Sequence, residues 1–135
     1  MRVRSEISKN KKYWIDPNRY YELKHFCLQY DVWKRAYLAL DGFSRSPDGD
    51  PIDGGDHSDP TPRCVEARYS FYKRMSMIEE AARETDVGLR DYILKAATQG
   101  LSYETLRTKY NIPCCRNDYY ELYRKFFWIL SQKRQ

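Results

Sequence analysis

The stretch YILKAATQGLSYETLRTKYNIPCCRNDYYELYRKFFWILSQKRQ, residues 92–135, decides the fold that this sequence predicts. Gly100 ends a first helix, because a residue without Cβ adopts the left-handed conformation at low cost. Ser102 follows as a candidate N-cap of a short second helix. That helix ends before Pro113, since the residue preceding a proline is pushed out of the α region.

A longer final helix is predicted to begin near residues 115–117 and to run almost to residue 135. A short helix, a tight turn and a longer second helix form the layout of a helix-turn-helix, whose second helix enters the DNA major groove. The apolar residues of the final helix recur at helical spacing and are expected to face the core: Tyr119, Leu122, Tyr123, Phe126, Ile129 and Leu130.

Two long helices are predicted in the N-terminal half. Asp16-Pro17 is a helix start, and the apolar seam that follows, from Leu23 to Leu40, has heptad spacing. A break near Asp31 is the main alternative to one continuous helix up to Gly42. A second seam of similar length follows Thr61-Pro62 and runs to about Thr85. Two such helices joined by a long loop are expected to pack antiparallel.

The predicted fold is therefore all-α. A basic arm, residues 1–15, precedes a helical hairpin, residues 16–87, whose loop at 42–62 is irregular because prolines and glycines interrupt regular structure. A three-helix helix-turn-helix module, residues 88–135, completes the chain.

Charge is spread unevenly along the 135 residues, whose net charge is +5. Residues 1–47 and 88–135 are each basic, whereas the acid is concentrated in the aspartates of the loop at 48–59. Basic ends suit a polyanion such as nucleic acid, although an ordinary solvated surface has the same composition. No apolar run approaches the length of a membrane span, and the cysteines lack disulfide-scaffold spacing, so a reduced, cytoplasmic setting is expected.

Catalysis, cofactors and metals find little support in the sequence. The loop aspartates miss the glycine and glutamate positions of an EF-hand, and His25 and His57 lack partners at zinc-site spacing. Cys114-Cys115 lies at a predicted helix start, where a thiolate gains stability, but no histidine is near in sequence. We expect no enzyme, no cofactor and no metal site.

The start of the final helix carries the candidate DNA contacts. Arg116 and Asn117 stand where base edges are usually read, and these side-chain types suit guanine and adenine respectively. Tyr120, Arg124 and Lys125 are better placed for phosphates. Arg107 and Lys109 on the preceding helix add backbone contacts, so double-stranded DNA is the expected partner.

These motifs resemble a known family. The resemblance rests on Asp59-Pro60-Thr61, on Gly100-Leu101-Ser102-Tyr103-Glu104, on Ile112-Pro113, and on an aromatic final helix containing Arg124-Lys125-Phe126. This order resembles the RinA/ArpU-type late transcription regulators of phages and prophages, whose C-terminal part is similar to region 4 of sigma-70 factors. The resemblance covers nearly the whole chain. Asp118 and Glu121 depart from it, because such helices are commonly more basic.

The resemblance implies a prophage-encoded, sequence-specific regulator of late genes in a Gram-positive host, acting with host RNA polymerase. The sequence leaves open whether the chain forms a homo-oligomer. Two alternatives remain from the residues themselves. One is a phage protein-interaction module that binds a host enzyme, either polymerase or a defence nuclease. The other is a small-terminase-like packaging subunit, which shares the helix-turn-helix.

Overall fold

Helices joined by short turns make up the described part of the chain, which contains no strand. The computed structural model describes residues 12–44 and 62–134, and of residues 41–44 only the backbone. The predictions for the remainder of the basic arm and of the acidic loop lie outside these ranges. The all-α prediction is confirmed by these helices: α1 (Pro17–Leu28), α2 (Tyr30–Ser44), α3 (Pro62–Thr85), α4 (Arg90–Gln99), α5 (Tyr103–Tyr110) and α6 (Arg116–Lys133).

The N-terminal helix begins as predicted but ends earlier. The Asp16 carboxylate accepts from the backbone N–H of Asn18 at 2.9 Å, and Pro17 occupies the first helical position. The prediction of one helix up to Gly42 is wrong, and the alternative of a break near Asp31 is confirmed, because Gln29 separates α1 from α2. Its N–H donates to the Phe26 carbonyl at 3.2 Å, an i→i−3 bond that tightens the last turn of α1.

The described residues form two compact units. The first unit comprises residues 12–29 and 77–134, and the second comprises residues 30–44 and 62–76. These units divide the chain differently from the predicted boundary between residues 87 and 88. The reason is that α1 packs against α4 and α6, so its apolar face is part of the same core as the C-terminal helices.

Aromatic rings fill much of the core of the first unit. The Phe127 ring meets the rings of Tyr20, Tyr123 and Phe126 edge-on, with centroids 5.1, 4.9 and 4.9 Å away. Edge-to-face contacts of this kind add to the stability gained from burial. Cys27 is completely enclosed here, and burial raises the pKa of its thiol. Other fully or nearly fully buried core residues are Leu23, Ile78, Ala81, Ala82, Ile93, Leu106 and Leu130.

The end of α6 is tied to two other helices of the first unit. The Arg19 guanidinium on α1 donates to the carbonyls of Ser131, at 3.2 Å, and Arg134. The Lys133 ammonium lies 2.6 Å from the Glu84 carboxylate on α3. Cations near the carbonyl end of a helix also interact favourably with its dipole. These contacts hold α6 by its C-terminal end and leave its N-terminal end for the site described below.

Arginine–aromatic contacts join the helices of the second unit. The guanidinium carbons of Arg74 and Arg68 lie 5.6 and 4.2 Å from the ring centroids of Trp33 and Tyr37. The antiparallel hairpin stays a prediction. Among residues 12–44 and 62–134, no helix has both the length and the apolar content needed to cross a membrane.

Candidate nucleic-acid interface

Helix α5 is short because residues adjacent to it in sequence cap both of its ends. The Ser102 hydroxyl accepts from the backbone N–H of Thr105 at 3.2 Å, which confirms Ser102 as the N-cap. At the other end Asn111 adopts a left-handed conformation, with φ 53°. The N–H groups of Asn111 and Ile112 both donate to the Leu106 carbonyl, so the helix cannot continue.

The turn between α5 and α6 is fixed by one tyrosine. The Tyr103 hydroxyl donates to the Cys114 carbonyl at 2.7 Å, and its ring lies 5.4 Å from the Tyr119 ring. Cys115 has extended backbone and acts as the N-cap of α6, its carbonyl accepting from the Tyr119 N–H at 2.9 Å. The first residues of α6 therefore have a defined position relative to α5.

The inward face of α6 differs in part from the predicted one. Phe127 is buried although the prediction omitted it, while Leu122 and Ile129 are half-buried. Phe127 follows Tyr123 at i+4 and precedes Leu130 at i+3, so it shares their face of the helix, where its ring meets that of Tyr20 on α1. The buried residues of α6 are Tyr119, Tyr123, Phe126, Phe127 and Leu130.

The predicted DNA contacts differ in exposure. Solvent reaches Arg116, Asn117, Arg107 and Lys109 freely, whereas Tyr120, Arg124 and Lys125 are half-buried. The Tyr120 ring stands edge-on to the Tyr119 ring, with centroids 5.2 Å apart. The exposed N-terminal end of α6 thus presents Arg116 and Asn117 side by side.

Glu104 brings two of the predicted cations together, and the sequence interpretation did not single it out. One carboxylate oxygen accepts from Arg116, and the other accepts from Arg107 at 3.1 Å. The Arg116 guanidinium carbon also lies 5.1 Å from the centroid of the Tyr103 ring. The i, i+3 spacing to Arg107 was visible in the sequence, but the pair with Arg116 depends on the turn.

Electrostatics around Glu104 favour its charged form. The hydrogen bond and charge of Arg107, followed by the charge of Arg116, hold the pKa of the Glu104 carboxyl below its ordinary value. At neutral pH Glu104 is therefore a carboxylate, and it occupies part of the hydrogen-bonding capacity of Arg116. About half of the Arg116 side chain, 53%, is exposed.

The two acidic residues near the start of α6 have different surroundings. Asp118 lies in the first turn of α6, where a carboxylate is stabilised by the free N–H groups and the positive end of the helix dipole. A local structural reason therefore exists for Asp118. Glu121 is exposed on the next turn, and no contact of its side chain explains it.

The Cys114 thiol lacks the surroundings of an activated nucleophile. Burial raises the pKa of the Cys114 thiol, and the nearby Cys115 and Asp118 raise it further. A thiol with a raised pKa is a weaker nucleophile at neutral pH than an ordinary one. In the part of the chain that the structure describes, no three His, Cys, Asp or Glu side chains group closely enough to hold a metal ion.

Comparison with known proteins adds no relationship to this geometry. No family model, curated protein or solved structure matches the chain.

Proposed function

We propose that this chain is a sequence-specific protein that binds double-stranded DNA through α5 and α6. The observation that carries the proposal is the pairing of a short capped helix with a longer one whose exposed first residues are Arg116 and Asn117. In helix-turn-helix proteins the N-terminal residues of the second helix contact base edges. Arginine forms bidentate pairs with guanine, and asparagine does so with adenine.

Phosphate contacts come from the cations around this helix end. Arg107 and Lys109 on α5 are exposed, and Lys125 on α6 is half-buried with its ammonium on a flexible stem. Such contacts fix the register of a protein on the duplex without reading sequence. The proposal assigns base reading to the first turn of α6 and positioning to the cations of both helices.

Glu104 gives Arg116 a specific role in this scheme. A carboxylate that accepts from one edge of a guanidinium restricts its rotation and leaves its other N–H groups available. Stacking on the Tyr103 ring restricts it further. We therefore expect Arg116 to meet a base with little loss of side-chain freedom, which lowers the entropy cost of binding.

The wider assignment follows the family resemblance. A late-gene regulator of a phage or prophage would bind upstream of packaging and morphogenesis genes and act with host RNA polymerase. Residues Asp59 to Thr61 and the sequence from Gly100 to Glu104 support this assignment as a resemblance. This assignment extends the DNA-binding proposal, and refuting it would leave the DNA-binding proposal intact.

A gel mobility-shift titration with fragments of the cognate phage genome tests the proposal. Duplex binding should weaken with salt, with a slope of log K against log salt of about −0.9 for each phosphate contact. Arg116→Ala should lower discrimination between fragments by about 1–3 kcal/mol, whereas Lys125→Ala should weaken all fragments alike.

The matched control is Arg83→Ala, which removes an exposed arginine on α3 and should leave duplex binding unchanged. Absence of any duplex binding at low salt would refute the proposal. In that case the exposed helix end would favour the protein-interaction module, testable by affinity capture of a host enzyme with and without Arg116→Ala.

A further inference from the structure

Three carboxylates lie on the two helices of the proposed duplex-binding surface. They are Glu104 on α5, and Asp118 and Glu121 on α6. A carboxylate repels the phosphates that every duplex presents, so each of the three lowers the affinity for DNA unless another group offsets its charge. The groups that offset the charge differ from one carboxylate to the next.

Glu104 and Asp118 are both stabilised within the chain, whereas Glu121 is not. Glu104 accepts hydrogen bonds from Arg107 and Arg116. Asp118 lies in the first turn of α6, beside the free N–H groups of the helix end. Glu121 comes after that turn, where the effect of the helix dipole has fallen off. Within residues 12–44 and 62–134, its carboxylate makes no hydrogen bond and no ion pair.

The neighbours of Glu121 along α6 show which way it faces. Lys125 follows at i+4, a spacing at which glutamate and lysine commonly pair on a helix, but these two side chains form no ion pair. Asn117 precedes Glu121 by four residues, so the two share one face of the helix, and both are exposed. Glu121 therefore extends the face that carries Asn117, one turn further from the start of α6.

We infer that Glu121 is a specificity-determining residue that accepts a hydrogen bond from the amino group of a cytosine in the major groove. The inference rests on the proposed binding of duplex DNA through α5 and α6. In the major groove cytosine presents an amino donor and no acceptor of its own, which suits a carboxylate. Adenine places the acceptor N7 beside its amino group, while guanine and thymine present acceptors.

The spacing along α6 lets Asn117 and Glu121 address different base pairs. Four residues advance an α-helix by about 6 Å, which is close to two base-pair steps of about 3.4 Å each. Asn117 suits adenine, so the cytosine that Glu121 contacts lies one or two base pairs from that adenine. The carboxylate weakens binding to every duplex without this cytosine, and the hydrogen bond offsets the repulsion only where the cytosine is present.

Selection from a pool of duplexes with a randomised centre, followed by sequencing, tests the inference on the full chain. The unmodified chain should prefer cytosine about tenfold at one position, within two base pairs of the adenine preference that Asn117→Ala removes. Glu121→Ala should abolish the cytosine preference and strengthen binding to duplexes that lack this base. Glu121→Gln should move the preference towards adenine, because an amide both donates to N7 and accepts from the amino group.

The matched control is Glu66→Ala, which removes an exposed glutamate of α3 and should select the same sequences as the unmodified chain. The inference alone is overturned if Glu121→Ala strengthens binding to all duplexes equally and keeps the base preferences of the unmodified chain, since the carboxylate would then only repel phosphates. It is also overturned if Glu121→Gln selects the same bases as the unmodified chain. If the unmodified chain enriches no sequence, the proposal of sequence-specific duplex binding fails, and this inference fails with it.

Discussion

Two guanidinium groups from different helices meet at the Glu104 carboxylate. Because Arg107 and Arg116 both favour its charged form, the folded-state pKa of Glu104 lies below its unfolded value. The stabilisation linked to this shift is present above the unfolded pKa and is lost as the pH falls through the folded pKa. Acid should therefore release Arg116 from Glu104 only below the pH at which an ordinary glutamate protonates.

Carbon-detected NMR titration of the Glu104 carboxyl measures this pKa directly. Arg107→Ala should raise it towards the ordinary value of a glutamate, since Arg107 makes the largest contribution to the shift. Arg83→Ala, on an exposed part of α3, should leave it unchanged. A Glu104 pKa that does not respond to Arg107→Ala would contradict the ion-pair geometry.

The sequence identified the exposed cationic residues but not Glu104, the carboxylate that pairs with two of them. Arg116, Asn117 and Arg107 were identified from residue type and position, and the structure leaves all three exposed. Glu104 carries no such signal, because its contact with Arg116 spans twelve positions and depends on the turn. Periodicity within a helix contains no information about a partner across a turn.

At the scale of the element, Gly100 sets the length of α4. Its φ is +69°, while a Cβ built there meets only the Leu28 side chain at 3.6 Å, an ordinary contact. Gly100→Ala should therefore destabilise the chain by about 1–2 kcal/mol through backbone strain alone. Urea denaturation measures this, with Gly100→Asn as the comparison, because asparagine adopts the left-handed conformation more readily than alanine does. An equal loss in both variants would mean that the cost arises elsewhere.

The hydrogen bond from Tyr103 to the Cys114 carbonyl is the second element-scale test. Tyr103→Phe keeps the ring and removes the donor, so it should cost about 0.5–1.5 kcal/mol in the free energy of unfolding. Duplex binding should decline as well if the turn sets the direction of α6. Tyr110→Phe, an exposed position on the same helix, should change stability by no more than about 0.5 kcal/mol. A neutral Tyr103→Phe would show that the turn is held by other contacts.

Helix ends were the most predictable elements. Asp16, Gly100 and Ser102 act through local hydrogen bonds or backbone conformation, which the sequence reports directly. The break at Gln29 was less visible, because no proline or glycine marks it and the seam of apolar residues continues past it. A break that depends on where neighbouring helices pack cannot be located from helical spacing.

At the scale of the whole molecule, α1 is part of the core that supports α4 and α6. Leu23 is completely buried, and Leu23→Ala should cost about 2–5 kcal/mol, depending on how far its surroundings relax. Leu28→Ala, on the same helix but 38% exposed, should cost less than about 1 kcal/mol. Denaturation curves followed by circular dichroism compare the two. Similar losses would place α1 outside the core.

The grouping of helices into units was the least predictable feature. The sequence indicated two long apolar seams and therefore an N-terminal hairpin, but the buried residues of both seams contribute to the first unit. Tyr20, Leu23 and Cys27 are buried in the same unit as the C-terminal helices, as are Ile78 and Ala82 at the end of α3. Heptad spacing shows that a face is apolar and does not identify what covers it.

The buried Cys27 thiol is a built-in probe of how often the core of the first unit opens. A thiol-specific reagent reaches this sulfur only when the surrounding helices separate, so the delay before modification reports how often that opening occurs. Cys115 is exposed and should be modified much faster, which provides an internal reference in the absence of duplex. If a bound duplex slows the modification of Cys27, then binding at the N-terminal end of α6 makes opening of the core around Cys27 less frequent.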